Sequence, residues 1–463
     1  MANVKYIIAA SLTAAALLST PLVISSSIDK EIESNRITLE KNGIKQSITA
    51  KSGYLTTQRQ FTLEISDGAK ARDYLLDMLV AKNAQYKIFA KSLKEISTVE
   101  MNSMLNGLSF RGVMENSNLL PQESSVSLIL EKLPLITQKE LAENKEFQTT
   151  LLPLIQKGTI AFDLRFDSRQ KLSSIQMRDI KESLVFEEAT MEMDTRNQGV
   201  RYNDDGSTIK GKATIDKQTI GIRGENFVLK SNVDKLLYDF NYKNELNNQG
   251  TLSLEGYQLS IQDGSETMAL SLGKIDANSV LEESQQNLTL KAMYTLNEIA
   301  FADRRDDIKL KKLMVAVDLS GIATAKIKKL QDNYNALMLA QNSPSDKELI
   351  ADFVALINDG IVLDLSLKVN GLSGEVALKD MNIGLNMVVP KNSYSDKQSP
   401  LALLSLLEVK ANVKMHKDDR QTLENLEVSV EEDFALGKVE GDYFSYDILF
   451  KDSKMSINGS PII

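Results

Sequence analysis

The chain has 463 residues, of which 42% are hydrophobic and 25% charged, a globular rather than a disordered composition with length for about three average domains, or fewer in an extended β-structure. Its 54 basic and 63 acidic residues leave a formal charge of −9 with the signs interspersed, which argues against a nucleic-acid partner, because neutralising phosphates needs a basic face. The absence of cysteine excludes disulfides, thiolate catalysis and cysteine-ligated metals together.

From the N-terminus, the run Tyr6 to Ile24 carries no charge. At roughly 1.5 Å per helical residue it extends about 28 Å, close to the hydrocarbon core of a bilayer. A membrane anchor is the expectation, built on Tyr6, Ile7, Ile8, Leu12, Leu17, Leu18, Leu22, Val23 and Ile24. Alanine, serine and threonine dilute the run, and Ser25-Ser26-Ser27 offers a small-residue cleavage site, so a removable signal peptide is the alternative. Lys5, with no acid ahead of it, favours a cytoplasmic N-terminus and an exported remainder.

Ser26 to Asn35 reads as a short polar stalk, helical or extended, and strand patterning is expected from Ile37. Ile37/Leu39, Phe61/Leu63/Ile65, Val126/Leu128/Leu130, Phe162/Leu164/Phe166 and Leu252/Leu254 alternate apolar with polar residues, as a sheet with one buried and one wet face does. Two helices interrupt this pattern. Asp67 is placed to cap one over Gly68 to about Val80, and a second is expected over Gln138 to Gln156, capped by Thr137 and kinked in its last turn by Pro153. From Gly158 to about Leu319 only strand signals follow, with turns at Asn203-Asp204-Asp205-Gly206 and Asp263-Gly264, which predicts an antiparallel meander rather than a βαβ fold.

A helical hairpin is expected between Ile322 and Asn358. Ile327, Leu330, Tyr334 and Leu337 form one stripe of its first helix, Ser343-Pro344 breaks it, and Ser345 with Glu348 makes a capping box for a second helix stopped at Gly360. Strands resume at Ile361/Leu363/Leu365/Leu367/Val369, Val376/Leu378 and Ile383/Leu385/Met387/Val389. The chain closes with Tyr443 to Lys451 and Lys454 to Asn458, a hairpin around Asp452-Ser453.

Chemical motifs are few. Gly206 to Lys212 matches G-x-x-x-x-G-K, but Ala213 replaces the magnesium-binding hydroxyl and a strand pattern follows where a helix is needed, so a hairpin is expected there. Ser27-Ile28-Asp29-Lys30 has the S-x-x-K spacing without its companion motifs. The acidic clusters Glu187-Glu188, Asp204-Asp205 and Glu431-Glu432-Asp433 lack calcium-loop spacing, and His416, the sole histidine, sits in a charged patch. A basic concentration at Arg304, Arg305, Lys309, Lys311, Lys312, Lys326, Lys328 and Lys329 is open to two readings, anionic lipid or an ordinary polar face. No catalytic, cofactor-binding or metal-ligating residue is assigned, and no cofactor is expected.

Three stretches, Gly53 to Ile65, Leu330 to Gln341 and Tyr446 to Gly459, together with the N-terminal apolar run, give the chain a form that resembles the bacterial YdgA-like family, domain of unknown function 945. The order of elements matches over nearly the whole chain and departs after Met415, where a longer helical segment is the family's pattern. The resemblance implies a Gram-negative envelope protein, held in the inner membrane by its N-terminus with its bulk in the periplasm. It brings no catalytic residues.

The expected architecture is mainly β with minor α (α+β): an elongated, curved, largely antiparallel sheet with a helical hairpin packed on it, behind an N-terminal transmembrane helix. Residues 1–25 form the anchor, 26–320 a β-rich region, 321–360 the helical hairpin and 361–463 a β-rich region continuing the same sheet. The expected function is that of a non-enzymatic structural or assembly factor, or a binder of an apolar, lipid-like ligand, since the two strong helices are too few to cover so many one-face-apolar strands. The alternative is a carboxylate-based hydrolase of an envelope polymer. Besides the inner membrane, the expected partners are a lipid, an envelope protein or a second copy of the chain, and not nucleic acid.

Overall fold

Period-two alternation becomes antiparallel pairing in a computed structural model, which describes residues 28–462 except 53–55, 83–89, 92, 118–123, 143–147, 149–150, 168–171, 187, 245, 305–306, 339–345, 375–376, 396–397, 399–401, 403 and 420–435. The residues of the expected anchor, Tyr6 to Ile24, lie outside the described residues; among those described, no helix is long and apolar enough to cross a membrane. The chain divides into two compact units, Met1–Asp204 with Ala213–Asp216, and Asp205–Lys212 with Lys217–Ile463.

In the first unit α1 (Ile28–Lys41) leads into β1 (Ile44–Ser52) and β2 (Thr56–Ile65), followed by α2 (Gly68–Lys82) and α3 (Thr98–Leu105). Next come β3 (Ser109–Ser117), β4 (Ser124–Lys132), α4 (Leu135–Ala142), α5 (Leu151–Lys157), β5 (Ala161–Phe166), β6 (Leu172–Met177), β7 (Ile180–Val185), β8 (Ala189–Arg196) and β9 (Gln198–Asp204). The strands pair antiparallel in the order β1-β2-β3-β4-β5-β6-β9, and β7 and β8 form a hairpin. Asp67 does cap α2, its Oδ1 accepting from Lys70 N at 3.2 Å. Asn106 and Asn102 of the α3 region accept from Gly68 N and Ala69 N at 2.8 Å each, so two more of the donors a helix start leaves unpaired are satisfied. Helices and strands enclose a core in which Ile44, Ile65, Leu108, Val126 and Leu164 are at most 1% exposed.

Several expectations are corrected here. Ile37 and Leu39 belong to α1, not to a strand, and Leu39 is buried in the core. Of the single helix expected over Gln138 to Gln156, the described residues show α4, which begins earlier at Leu135, and α5, while 143–147 and 149–150 between them lie outside the described residues. Thr137 lies inside α4, which starts after Pro134 with Gln138 N donating to Pro134 O at 2.8 Å. Pro153 falls in the first turn of α5 instead of ending a helix, a place where proline's missing N–H costs nothing. The sequence pattern gives no warning of α3.

The second unit carries the long strands: most of β10 (Ile209–Gly224), then β11 (Phe227–Asn244), β12 (Asn247–Asp263), β13 (Glu266–Leu272), β14 (Ile275–Ser284), β15 (Asn287–Ala302) and β16 (Asp307–Ala323). The helical hairpin α6 (Thr324–Met338) and α7 (Asp346–Asn358) comes next, where expected, and α7 stops before Gly360 at φ +91°. Ser345 of the expected capping box lies outside the described residues. There follow β17 (Ile361–Ser373), β18 (Leu378–Val389), β19 (Glu408–His416), β20 (Lys438–Glu440), β21 (Tyr443–Lys451), β22 (Lys454–Ile457) and β23 (Ser460–Pro461). Asp452 and Ser453 turn the β21–β22 hairpin with φ of 52° and 58°, the pair of left-handed residues a two-residue hairpin loop asks for, and Asn458-Gly459 turn β22 into β23 in the same way.

Pairing in this unit is a meander, β11-β12-(β13, β14)-β15-β16-β17-β18-β19-β21. Because β13 and β14 both lie between β12 and β15 in one unbroken register, they are a single strand interrupted at Gly273-Lys274. Every described strand pair is antiparallel, as expected.

Candidate functional site

Cross-strand partners share a side of a sheet, so the register alone sorts the second unit's residues by face. Four successive rungs from β15 to β21 read Leu296–Leu313–Val369–Met381–Met415–Phe444, Tyr294–Val315–Leu367–Ile383–Val413–Tyr446, Ala292–Val317–Leu365–Leu385–Ala411–Ile448 and Leu290–Leu319–Leu363–Met387–Val409–Phe450. Every position is aliphatic or aromatic. The rungs run on through β14 and β12 to Leu236, Tyr238, Phe240 and Tyr242 of β11, where Tyr238 and Phe240 stack at 5.8 Å over Gly250.

This field has one covered end. Leu288, Ile322 and Leu356 are buried where α6 and α7 meet the strands, together with Leu281, Leu319 and Ile361. Asp352 of α7 is buried, and accepts from Lys329 Nζ at 2.6 Å and from Asn333 Nδ2 at 2.5 Å, so it ties α7 to α6. A corner near β19 to β22 is also packed, around Met415, Tyr446 and Ile457. Elsewhere the field is mostly half-buried, with Val369 buried and Tyr294 45% exposed.

The opposite end is marked by a missed rung. The ladders joining the strands from β11 to β18 are all interrupted in one transverse band, by a single pair in most and by two pairs on either side of β13 and β14. Two wholly apolar rungs bracket it, Leu236–Leu254–Ile275–Leu296–Leu313–Val369–Met381 on the near side and Val233–Tyr257–Leu272–Ile299–Leu310–Leu372–Leu378 on the far side. The apolar spacing at the line is therefore three where it is two elsewhere. Lys235, Glu298 and Gly371 have left-handed φ there, of 41°, 54° and 63°. A left-handed residue reverses the alternation beyond it, and Gly321 (φ +86°) shows the consequence: Leu319 and Ile322, three apart across it, sit in one cluster. By the same geometry Leu372 stays on the side of Val369, and its partners Leu310 and Leu378 with it. The shifted spacing keeps the apolar residues on one face.

The other face is mixed, with Val280, Met293 and Leu449 among its charged and amide residues, and holds a cavity of about 960 Å³ whose exposed lining is mainly apolar. Its floor is the rung Lys291–Asp318–Asp364–Asn386–Lys410 beside a row of small residues, Ala316, Ser366 and Gly384. Two of its carboxylates have partners: Lys291 Nζ lies 2.8 Å from Asp318, a contact that raises its pKa, and Asn386 Nδ2 donates to Asp364 at 2.7 Å. In the first unit a cavity of about 510 Å³ holds Asp163, bound by Ser127 and by Arg178 at 3.2 Å. Burial pushes the Asp163 carboxyl up, but its hydrogen bonds from Arg178 and Ser127 outweigh that and leave it below the usual range, a poor proton acceptor.

The residues singled out by sequence fall apart spatially. Gly206 to Lys212 is a turn entering β10, with Asp205 accepting from Ser207 and Thr208 and held at a pKa of about 2. His416 ends β19 half-buried, its ring edge-on to Tyr443 at 5.6 Å and its Nδ1 accepting from Asp418 N at 3.2 Å. Of the acidic clusters, Glu187 and Glu431-Glu432-Asp433 lie outside the described residues, as does Ser27; no metal-binding group of acids or histidine occurs among the described residues. The basic concentration divides. Arg304 pairs with Glu266, Lys309 with Asp307, Lys326 with Asp359 and Lys329 with Asp352, whereas Lys311, Lys312 and Lys328 make no ion pair among the described residues. Arg305 lies outside them. The line of missed rungs went unread in the sequence, although its three-residue spacing is there in each strand.

A family model described as a bacterial protein of unknown function (DUF945) matches residues 112–463. No curated protein matches, and no solved structure matches.

Proposed function

This chain belongs to the bacterial family DUF945, and from that premise we propose that it is a non-enzymatic envelope protein, tethered to the inner membrane by its N-terminal segment with its bulk in the periplasm, whose second unit holds the acyl chains of a lipid-like ligand on its apolar face. The observation that carries this reading is the field of four apolar rungs across β15 to β21, covered at one end, packed at the β19 to β22 corner and mostly half-buried between. From strand geometry the field measures about 20 Å along the strands and about 25 Å across them. On the order of 500 Å², that is as large as the largest apolar patch a soluble monomer usually exposes. Its height is enough for an acyl chain, which spans about 15 Å when a hydrocarbon core of about 30 Å holds two layers of chains. The rungs present almost no hydrogen-bonding groups, which suits a chain that can make none. A hydrolase would need carboxylates with pKa values pushed apart in a cleft; Asp318 and Asp163 are instead ion-paired.

The test is mass spectrometry of the full chain extracted from membranes in mild detergent. Stoichiometric lipid is expected, and its loss from a Leu365→Asp, Leu385→Asp double variant that keeps the wild-type circular dichroism spectrum. A stoichiometric protein partner or second copy, with no lipid, would overturn the reading.

A further inference from the structure

The cavity of about 960 Å³ opens on the face away from the apolar field. Two neighbouring rungs that run from β14 to β21 line it, one charged and one small in its middle. Along the second, Ala316, Ser366 and Gly384 stand side by side, and an added Cβ at Gly384 would meet nothing nearer than Asn412 O at 4.0 Å. Toward β14 Met293 is 47% exposed and toward β21 Leu449 is 38% exposed, so apolar side chains bound the space on both sides. Room over small residues, walled by apolar ones, suits a compact apolar body.

The charged rung is one cation short. Asp318 of β16 and Asp364 of β17 are direct cross-strand partners, and like charges placed so cost stability. Lys291 answers only the first, its Nζ lying 2.8 Å from Asp318. Lys410, two strands from Asp364 on the other side, is held by Glu408 at 2.8 Å, and Glu408 also takes Lys451 at 2.9 Å. Lys368 makes no ion pair among the described residues, but it stands four residues along β17 from Asp364, about 13 Å away. Asp364 itself is exposed and accepts from Asn386 Nδ2 at 2.7 Å, an amide that orients the carboxylate and leaves its charge in place. Asp447, at the β21 side of the cavity, is likewise met by an amide, Asn412 at 2.7 Å. A fold that is otherwise locally consistent keeps such an unanswered charge chiefly at functional sites.

Independently of the acyl-chain reading, we propose that this cavity is a second ligand site, for an organic cation. Its ammonium group lies against Asp364 beside Asp318, and its apolar body rests on Ala316, Ser366 and Gly384 between Met293 and Leu449. The two faces of the sheet then serve different ligands, one wholly apolar and one charged at a single point.

The experiment titrates the detergent-solubilised full chain with cyclohexylmethylamine and with cyclohexylmethanol, which share a body and differ in charge, and follows both by calorimetry. The amine is expected to bind about tenfold more tightly than the alcohol. Asp364→Asn, which keeps the side chain's shape, should bring the amine down to the alcohol's affinity and leave the alcohol unchanged. Gly384→Val should weaken both probes, because its side chain enters the space the body occupies. Asp332→Asn, at an exposed acid of α6, should change neither. Equal binding of the two probes, binding of neither, affinities indifferent to Gly384→Val, or an amine affinity that Asp364→Asn lowers no more than Asp332→Asn does would each overturn the proposal. The acyl-chain reading stands or falls separately, on the lipid that co-purifies.

Discussion

The two units use the same alternation and end differently. In the first, helices are threaded between strands of at most ten residues, α2 and α3 between β2 and β3, α4 and α5 between β4 and β5, and the apolar face closes: Val126 and Leu164 are 1% exposed. In the second, β11 to β16 follow one another through turns, with one helical hairpin at a strand end, and Leu365 and Leu385 stay half-buried. Strand patterning therefore does not itself declare a core. What decides is whether the connections bring cover, because an antiparallel sheet can leave a face open.

The sharpest way to break this comparison is to truncate the same residue type on both faces. Leu164→Ala should cost about 2–5 kcal/mol, whereas Leu365→Ala, with no sealed cavity to leave behind, should cost under about 1.5 kcal/mol, both read from urea denaturation. Equal costs would mean the second unit's face is as covered as the first's.

Removing the cover the second unit does have comes next. Asp352→Ala should cost about 1–2 kcal/mol, because it unties α7 from α6 while Lys329, largely exposed, regains water. Hydrogen exchange should quicken in α7 and leave β16 and β17 protected. A global loss of protection instead would show the hairpin to be integral to the sheet.

How far the molecule was legible follows from the range of each signal. Local signals were readable: Asp67 at the start of α2, Gly360 at the end of α7, Asp452-Ser453 between β21 and β22. Helix α1 was read only as one of two forms for Ser26 to Asn35, its last turns being taken for strand because Ile37/Leu39 mimics one over two positions, and α3 was missed because it is a single short segment. The missed rung illustrates a different limit. A spacing of three, as from Leu310 to Leu313, passes for noise in one strand and becomes a pattern only when seven strands are laid in register. The polar ladder was likewise invisible, since Lys291 and Asp318 meet only by pairing.

That line offers a smaller test. Gly371→Val should cost about 1–2 kcal/mol through left-handed backbone strain, with displacement of Lys311, and Gly384→Val, at negative φ with nothing closer than 4.0 Å to an added Cβ, should cost less. Thermal denaturation of the two variants side by side measures the difference.

The smallest effect is in the closed unit. Asp163 has its folded pKa lowered, so its stabilising share is complete above its unfolded value near about 3.9 and is lost as pH falls through the folded one. Asp163→Asn should accordingly destabilise at pH 6 and converge on wild type at strongly acid pH, as followed by melting temperature. A gap that stays constant with pH would assign Asp163 a packing role alone.

Leu365 and Ser366 are neighbours in β17 that strand alternation turns to opposite sides, the first into the apolar field and the second into the row of small residues at the cavity. A photo-crosslinking residue placed at each in turn, in the full chain in its native membrane, tests the central claim most directly. Lipid adducts are predicted from position 365 and not from 366. Protein adducts from 365, or lipid adducts in equal yield from both, would contradict it.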